Sequence, residues 1–179
     1  MNLICKIFVV VLFSCIVSSC NDYFEPDYSN GRADGRKNGE KWVAMGQGFD
    51  NNQGVGVDMS FAIANDWGQL RQSLVFQKIP DSLGVYPLHA LSYQIQDSLP
   101  GCSFYILASD GDVLEETYKL IESGHENTMT VLDYDEVGRV LSGKFSVALQ
   151  IDPIRPKNNP NNPDTIVFEI DEFEVKIEE

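Results

Sequence analysis

Apolar residues in this chain recur at every second position, segment after segment. Val55, Val57, Met59, Phe61 and Ile63 alternate with Gly56, Asp58, Ser60, Ala62 and Ala64. Leu70, Leu74 and Phe76 alternate with Arg71, Ser73 and Gln77, and Leu114, Tyr118 and Leu120 with Glu115, Thr117 and Lys119. Leu141, Phe145, Val147, Leu149 and Ile151 alternate with Ser142, Lys144, Ser146 and Gln150. Shorter stripes hold Trp42 and Ala44, Phe104 and Ile106, and Met129 and Val131. A period of two sends one face of an extended strand into a core and the other into water. Residues 113–122 are the best rival for a helix, with Leu114, Tyr118 and Ile121 at i, i+4 and i+7, but the strand reading is preferred there. The last stripe, Ile166, Phe168, Ile170 then Phe173, Val175, Ile177, changes phase across Asp171-Glu172, which predicts a β-bulge. Turn formers at 50–54, 65–68, 80–84 and 109–112 separate the stripes. The expected fold is all-β, an antiparallel sandwich or barrel of about eight or nine strands, formed by residues 40–179 as a single domain.

The N-terminus carries an address. Lys6 closes a short positive region, and Ile7 to Val17 is an apolar run of 11 residues. Such a run is too short to span a hydrocarbon core, which needs about 20 residues, and has the length of a signal-peptide core. It ends in Val17-Ser18-Ser19-Cys20, which resembles the lipobox of bacterial lipoproteins. The resemblance implies that residues 1–19 are a signal peptide, that Cys20 receives the lipid, and that the protein sits in the cell envelope as an outer membrane lipoprotein. The acidic start at Asp22, Glu25 and Asp27 resembles surface-export signals of Bacteroidetes-type lipoproteins, leaving periplasmic and surface-exposed placements both open. Residues 20–39 are rich in turn formers without any period and read as the lipidated Cys and a flexible tether. A coil of that length spans roughly 25 Å root-mean-square and roughly 65 Å when stretched. Once Cys5 and Cys15 leave with the signal and Cys20 is acylated, Cys102 has no partner, so an exported chain folds without a disulfide framework.

Charge narrows the partners. Thirteen basic residues against 27 acidic ones give a net charge of −14. Nucleic acid is excluded as a partner, because neutralising phosphates takes a basic surface. Attraction to anionic headgroups is disfavoured for the same reason, so membrane attachment falls to the lipid anchor.

Asn38-Gly39-Glu40-Lys41-Trp42, Gly84-Val85-Tyr86-Pro87-Leu88 and Val140-Leu141-Ser142-Gly143-Lys144-Phe145-Ser146, with the closing Phe173-Val175 strand, resemble a family of uncharacterised Bacteroidetes-type lipoproteins. Its members open with an N-G-x-x-W strand and close with an s-G-x-F hairpin. The resemblance implies an all-β lipoprotein domain and brings no catalytic residues with it.

The residues themselves indicate little chemistry. His89 and His125 lack the paired spacing of a zinc site, and no nucleophile elbow, Walker loop or dinucleotide fingerprint occurs. With 27 acidic residues some close carboxylate pair is inevitable, so acidity alone does not indicate a glycosidase. No enzyme, cofactor or metal is therefore expected. Calcium is the one metal the turns suggest, at Asp50-x-Asn52-x-Gly54, Asp110-x-Asp112 and Asp133-x-Asp135. Ligand-stacking aromatics are sought at Trp67, which stands in a loop, and at Tyr86 and Tyr93, which flank His89. Residues 152–164 hold four prolines and read as a long exposed loop. The expected function is a non-catalytic binding or adhesion module for a glycan, a peptide or an envelope protein. The alternative is a structural or assembly component of an envelope complex.

Overall fold

The structure, a computed structural model, describes residues 24–51, 56–91, 99–154 and 157–178. They form eleven strands: β1 (Gly31–Lys37), β2 (Glu40–Asp50), β3 (Val57–Ala64), β4 (Leu70–Ile79), β5 (Gly84–Pro87), β6 (His89–Ala90), β7 (Gly101–Leu107), β8 (Leu114–Leu120), β9 (Thr128–Asp135), β10 (Val140–Ile151) and β11 (Thr165–Glu178). Eight of them, β1-β2-β3-β4-β7-β8-β10-β11, pair antiparallel in a ring that closes between β11 and β1. The expectation of an all-β sandwich or barrel resolves to a closed barrel. Val55 apart, which lies outside the described residues, the long stripes lie on strands with their apolar side mostly inward, and within 113–122 residues 114–120 are strand rather than helix, with Leu114 exposed at its start. The phase change in β11 is a bulge at Asp171, because Glu172 pairs with Asp34 and Ile170 with Gly35.

The stretch read as a tether needs correction. Residues 31–37 are strand β1, the one that closes the barrel. Its inward positions are Gly31, Ala33 and Gly35, so it carries no apolar stripe to find. The reason is steric. A Cβ on Gly31 would lie 2.5 Å from the Glu174 carbonyl oxygen, and one on Gly35 would lie 2.4 Å from that of Glu169. The seam continues into β2, where Ala44, Gly46 and Gly48 are the inward residues after Trp42. The chain is fastened earlier still, since the Phe24 N–H donates to the Asp66 carbonyl at 2.9 Å.

Strand β8 leaves β10 early. Only Tyr118–Leu120 pair with Leu149–Ile151, and β9 takes the place beside the first half of β10, with the short β5 outside it. The bare upper edge of β8 is covered by the proline-rich connection. Asp152 N–H donates to the Thr117 carbonyl, and buried Glu116 accepts the N–H groups of both Asn158 and Asn159 at 2.8 Å. Tyr118 Oη donates to the Pro163 carbonyl at 2.8 Å. Burial, then the Glu116, Asp164 and Glu115 carboxylates, push that phenol up to about 12, so it stays a donor. The 152–164 connection thus shields a strand edge that would otherwise be free to pair.

Two ends can be told apart. The upper end carries the β1–β2, β3–β4, β7–β8 and β10–β11 connections. Asn38 bridges the first and last through Val167, and Arg71 reaches the Ala108 carbonyl between the other two. The lower end carries the β2–β3 and β9–β10 connections, joined by the Arg139–Asp50 ion pair at 2.6 Å.

Candidate functional site

Inward-facing side chains fill most of the barrel, and a pocket of about 220 Å³ remains at its upper mouth, between Lys37, Trp42, Ile63 and Gln72. Phe61, Phe76, Phe145 and Phe173 form one aromatic layer, with ring centroids 4.7–6.0 Å apart. Trp42, Phe168, Phe104 and Tyr118 form a second, in steps of 4.9, 5.1 and 5.6 Å. These edge-to-face and tilted contacts are how aromatic rings pack a solid core. At the upper mouth the Lys37 ammonium sits 5.0 Å above the Phe104 ring and donates to Gln72 Oε1. Burial there lowers its pKa to about 8, with Glu40 pulling the other way.

A larger concave surface lies outside, across β9, β10, β11 and β1. Strand register builds it in rows, because residues paired across antiparallel strands share a face. Arg36 pairs with Glu169, Glu169 with Ser146, and Ser146 with Thr128. In the next row Lys144 pairs with Thr130, and Asp171 stands in the β11 bulge beside it. The resulting groove has a volume of about 470 Å³. It runs on past Thr128 towards His125 and Glu126, and past Arg36 towards Asp34 and Lys41. Bulges in β9, at Leu132, and in β11 bend the sheet here, and Gly143 lets the strands close up, since a Cβ on it would lie 2.0 Å from the Thr130 carbonyl oxygen. Among the described residues, ion pairs join Arg32 to Asp34, Lys119 to Asp152, Arg139 to Asp50 and Lys157 to Asp164, and none engages Arg36, Lys144, Glu169 or Asp171. The groove offers two cations, two carboxylates and three hydroxyls to whatever enters it.

The residues singled out from sequence do not converge on this groove. Trp67 stands 84% exposed at the tip of the β3–β4 turn, where Asn65 Oδ1 accepts the Trp67 and Gln69 N–H groups. Tyr86 lies on β5 with its ring against the core, and its hydroxyl closes the preceding turn by donating to the Ser82 carbonyl at 2.7 Å. Tyr93 and Cys20 lie outside the described residues, as do Asn52 and Gly54 of the first calcium pattern. Asp110 Oδ1 accepts the Asp112 N–H, Asp135 Oδ1 accepts the Val137 N–H, and Asp50 pairs with Arg139, so these carboxylates lock turns. No group of three or more His, Cys, Asp or Glu side chains is placed to hold a metal ion among the described residues. Cys102 is fully buried, and burial raises its thiol pKa well above the ordinary range, which keeps it protonated and unreactive. His89 is on β6, and His125 stands at the end of the groove.

Sequence reasoning missed Arg36, Thr128, Thr130, Lys144, Ser146, Glu169 and Asp171. Thr128, Thr130, Lys144, Ser146 and Glu169 are outward members of the alternating stripes, Asp171 lies in the bulge and Arg36 lies on stripe-less β1, so only strand order and register bring them together. No protein-family model matches the chain, and no curated protein and no solved structure matches it either. No helix among the described residues is long and apolar enough to cross a membrane.

Proposed function

We propose that this protein is a lipid-anchored envelope protein whose barrel is a rigid support for an external, non-catalytic binding face. The observation that carries the reading is the contrast between a filled interior and a polar outer groove with uncommitted charges. A barrel that carries ligand inside keeps a cavity for it. Here most of that space holds aromatic side chains, and the pocket left at the mouth, about 220 Å³, is smaller than the outer groove at about 470 Å³. Hydroxyls interleaved with charges of both signs suit a polar, extended ligand that offers donors and acceptors along its length. A glycan chain or an extended peptide has that chemistry. The lipid anchor rests on the Val17-Ser18-Ser19-Cys20 motif and the apolar run before it.

The test is a thermal-shift screen of the full chain in detergent against envelope glycans and peptides. A ligand at about 100 times its Kd adds about 2.7 kcal/mol, a rise of several degrees for a domain of this size. The Arg36→Ala/Lys144→Ala variant should melt like the parent without ligand and lose the rise. A rise that survives in that variant would move the site elsewhere. A second reading, an assembly component, is favoured by β5. It ends the sheet path and carries exposed Val85, just after exposed Leu83 of the preceding turn and next to exposed Leu132 on β9. Cross-linking from Val85→Cys to an envelope protein in intact cells would support it.

A further inference from the structure

The geometry points to a fixed orientation on the membrane: the upper end of the barrel, led by Trp67, faces the bilayer and inserts into the headgroup region of a zwitterionic lipid surface. This rests on the lipid-anchor reading above and adds to it a docking face. The first observation is where the chain leaves the domain. Phe24 is not on a loose tether. Its N–H is held by the Asp66 carbonyl at 2.9 Å, and its ring lies over Gly68, where an added Cβ would come within 2.9 Å of it. Asp66 and Gly68 flank Trp67. Phe24 is the fourth residue after Cys20, which limits the reach between them to roughly 14 Å even when fully extended. An acylated Cys20 therefore holds the β3–β4 turn at the membrane surface.

The second observation is what that end presents. Trp67 is 84% exposed, whereas the other tryptophan, Trp42, is 4% exposed inside the barrel. Beside it stand exposed Val113, on the β7–β8 connection, and Leu114, which begins β8, and Ile154 is 82% exposed on the β10–β11 connection of the same end. The two hairpin tips touch, since an added Cβ on Gly111 would lie 3.2 Å from Gln69 Cβ. Tryptophan is favoured at the membrane–water boundary because an apolar body and one polar N–H suit a half-wet layer. Asp66, Asp110 and Asp112 share these turns, so the end is repelled by anionic headgroups and suited to neutral ones.

The experiment uses the full lipidated chain reconstituted into phosphatidylcholine vesicles, with the mass of the N-terminal peptide measured first. Trp67 fluorescence is obtained as the difference between the parent and Trp67→Phe, which retains only the buried Trp42. The expected result is a blue-shifted Trp67 emission in vesicles, loss of its quenching by acrylamide, and new quenching by brominated acyl chains. Lipidated, vesicle-bound protein whose Trp67 stays as accessible to acrylamide as in detergent-free buffer overturns the orientation and leaves the anchor standing. An unmodified Cys20 overturns the anchor, and the orientation with it. Vesicles containing phosphatidylglycerol should give weaker shielding of Trp67, and stronger shielding there would contradict the assignment to a zwitterionic surface.

Discussion

The two walls of the barrel solve opposite problems. Along β3, β4, β7 and β10 the inward positions are large: Phe61, Phe76, Phe104 and Phe145 reach across the interior. Along β1 and on β2 after Trp42 they are Gly31, Ala33, Gly35, Ala44, Gly46 and Gly48, and the adjoining strand β11 lies almost against the glycines. A barrel of eight strands has an interior just wide enough for side chains to fill. One wall supplies the volume and the other gives way to it. The outer face above the thin wall and the bulges is then where the sheet bends into a groove. Core and candidate site follow from one distribution of side-chain volume.

Substitutions should separate the two walls. The largest effect is expected from Phe61→Ala, which removes the ring shared by Phe76, Phe145 and Phe173. A loss of about 3–5 kcal/mol is expected, read as a fall in Tm of roughly 10–20 °C. Gly143→Ala adds one methyl where the strands are closest and should cost about 3 kcal/mol. Unlike the ring deletion it should also deform the groove, so ligand binding would fall along with stability. Glu116→Ala leaves the N–H groups of Asn158 and Asn159 without their carboxylate and should cost about 2 kcal/mol. Faster amide exchange confined to residues 157–164 would show that the loop had left the β8 edge.

The smallest effect concerns Lys37. Its folded pKa is about 8 against an ordinary 10.5, so the unfolded chain holds the proton more tightly. Below about pH 8 both states are charged and the desolvation cost is carried in full. Between about pH 8 and 10.5 the folded chain gives up its proton first, so this group's contribution to stability rises with pH. Lys37→Met should raise stability at pH 7 by about 1 kcal/mol, a figure reduced because the ammonium keeps some solvent access. The gain should shrink towards zero by about pH 10.5, and denaturant midpoints at pH 7, 9 and 10.5 would check it.

Most of the thick wall was legible in the sequence, because alternation of Phe, Leu and Ile with polar residues needs no partner to be recognised. Even the Asp171 bulge showed as a change of phase. The thin wall was not legible. Gly31-Arg32-Ala33-Asp34-Gly35 reads as linker until β11 and β2 are placed on either side of it. The groove was illegible for a related reason. Ser146 and Glu169 were visible as outward residues, but that they stand opposite one another, with Arg36 and Thr128 in the same row, is a fact of register. Trp67 was visible as a turn aromatic. What gave it a role was the position of Phe24, 43 residues away in sequence.

The most direct test of an external binding face is a residue-resolved amide-exchange or NMR footprint of the full chain with a ligand found by the thermal screen. Protection or shift changes are expected at Thr128, Thr130, Lys144 to Ser146 and Glu169 to Asp171, with the amides around Phe61, Phe76 and Trp42 unmoved. Changes centred on Trp42, Phe104 and Lys37 would place the ligand in the barrel mouth and contradict the account.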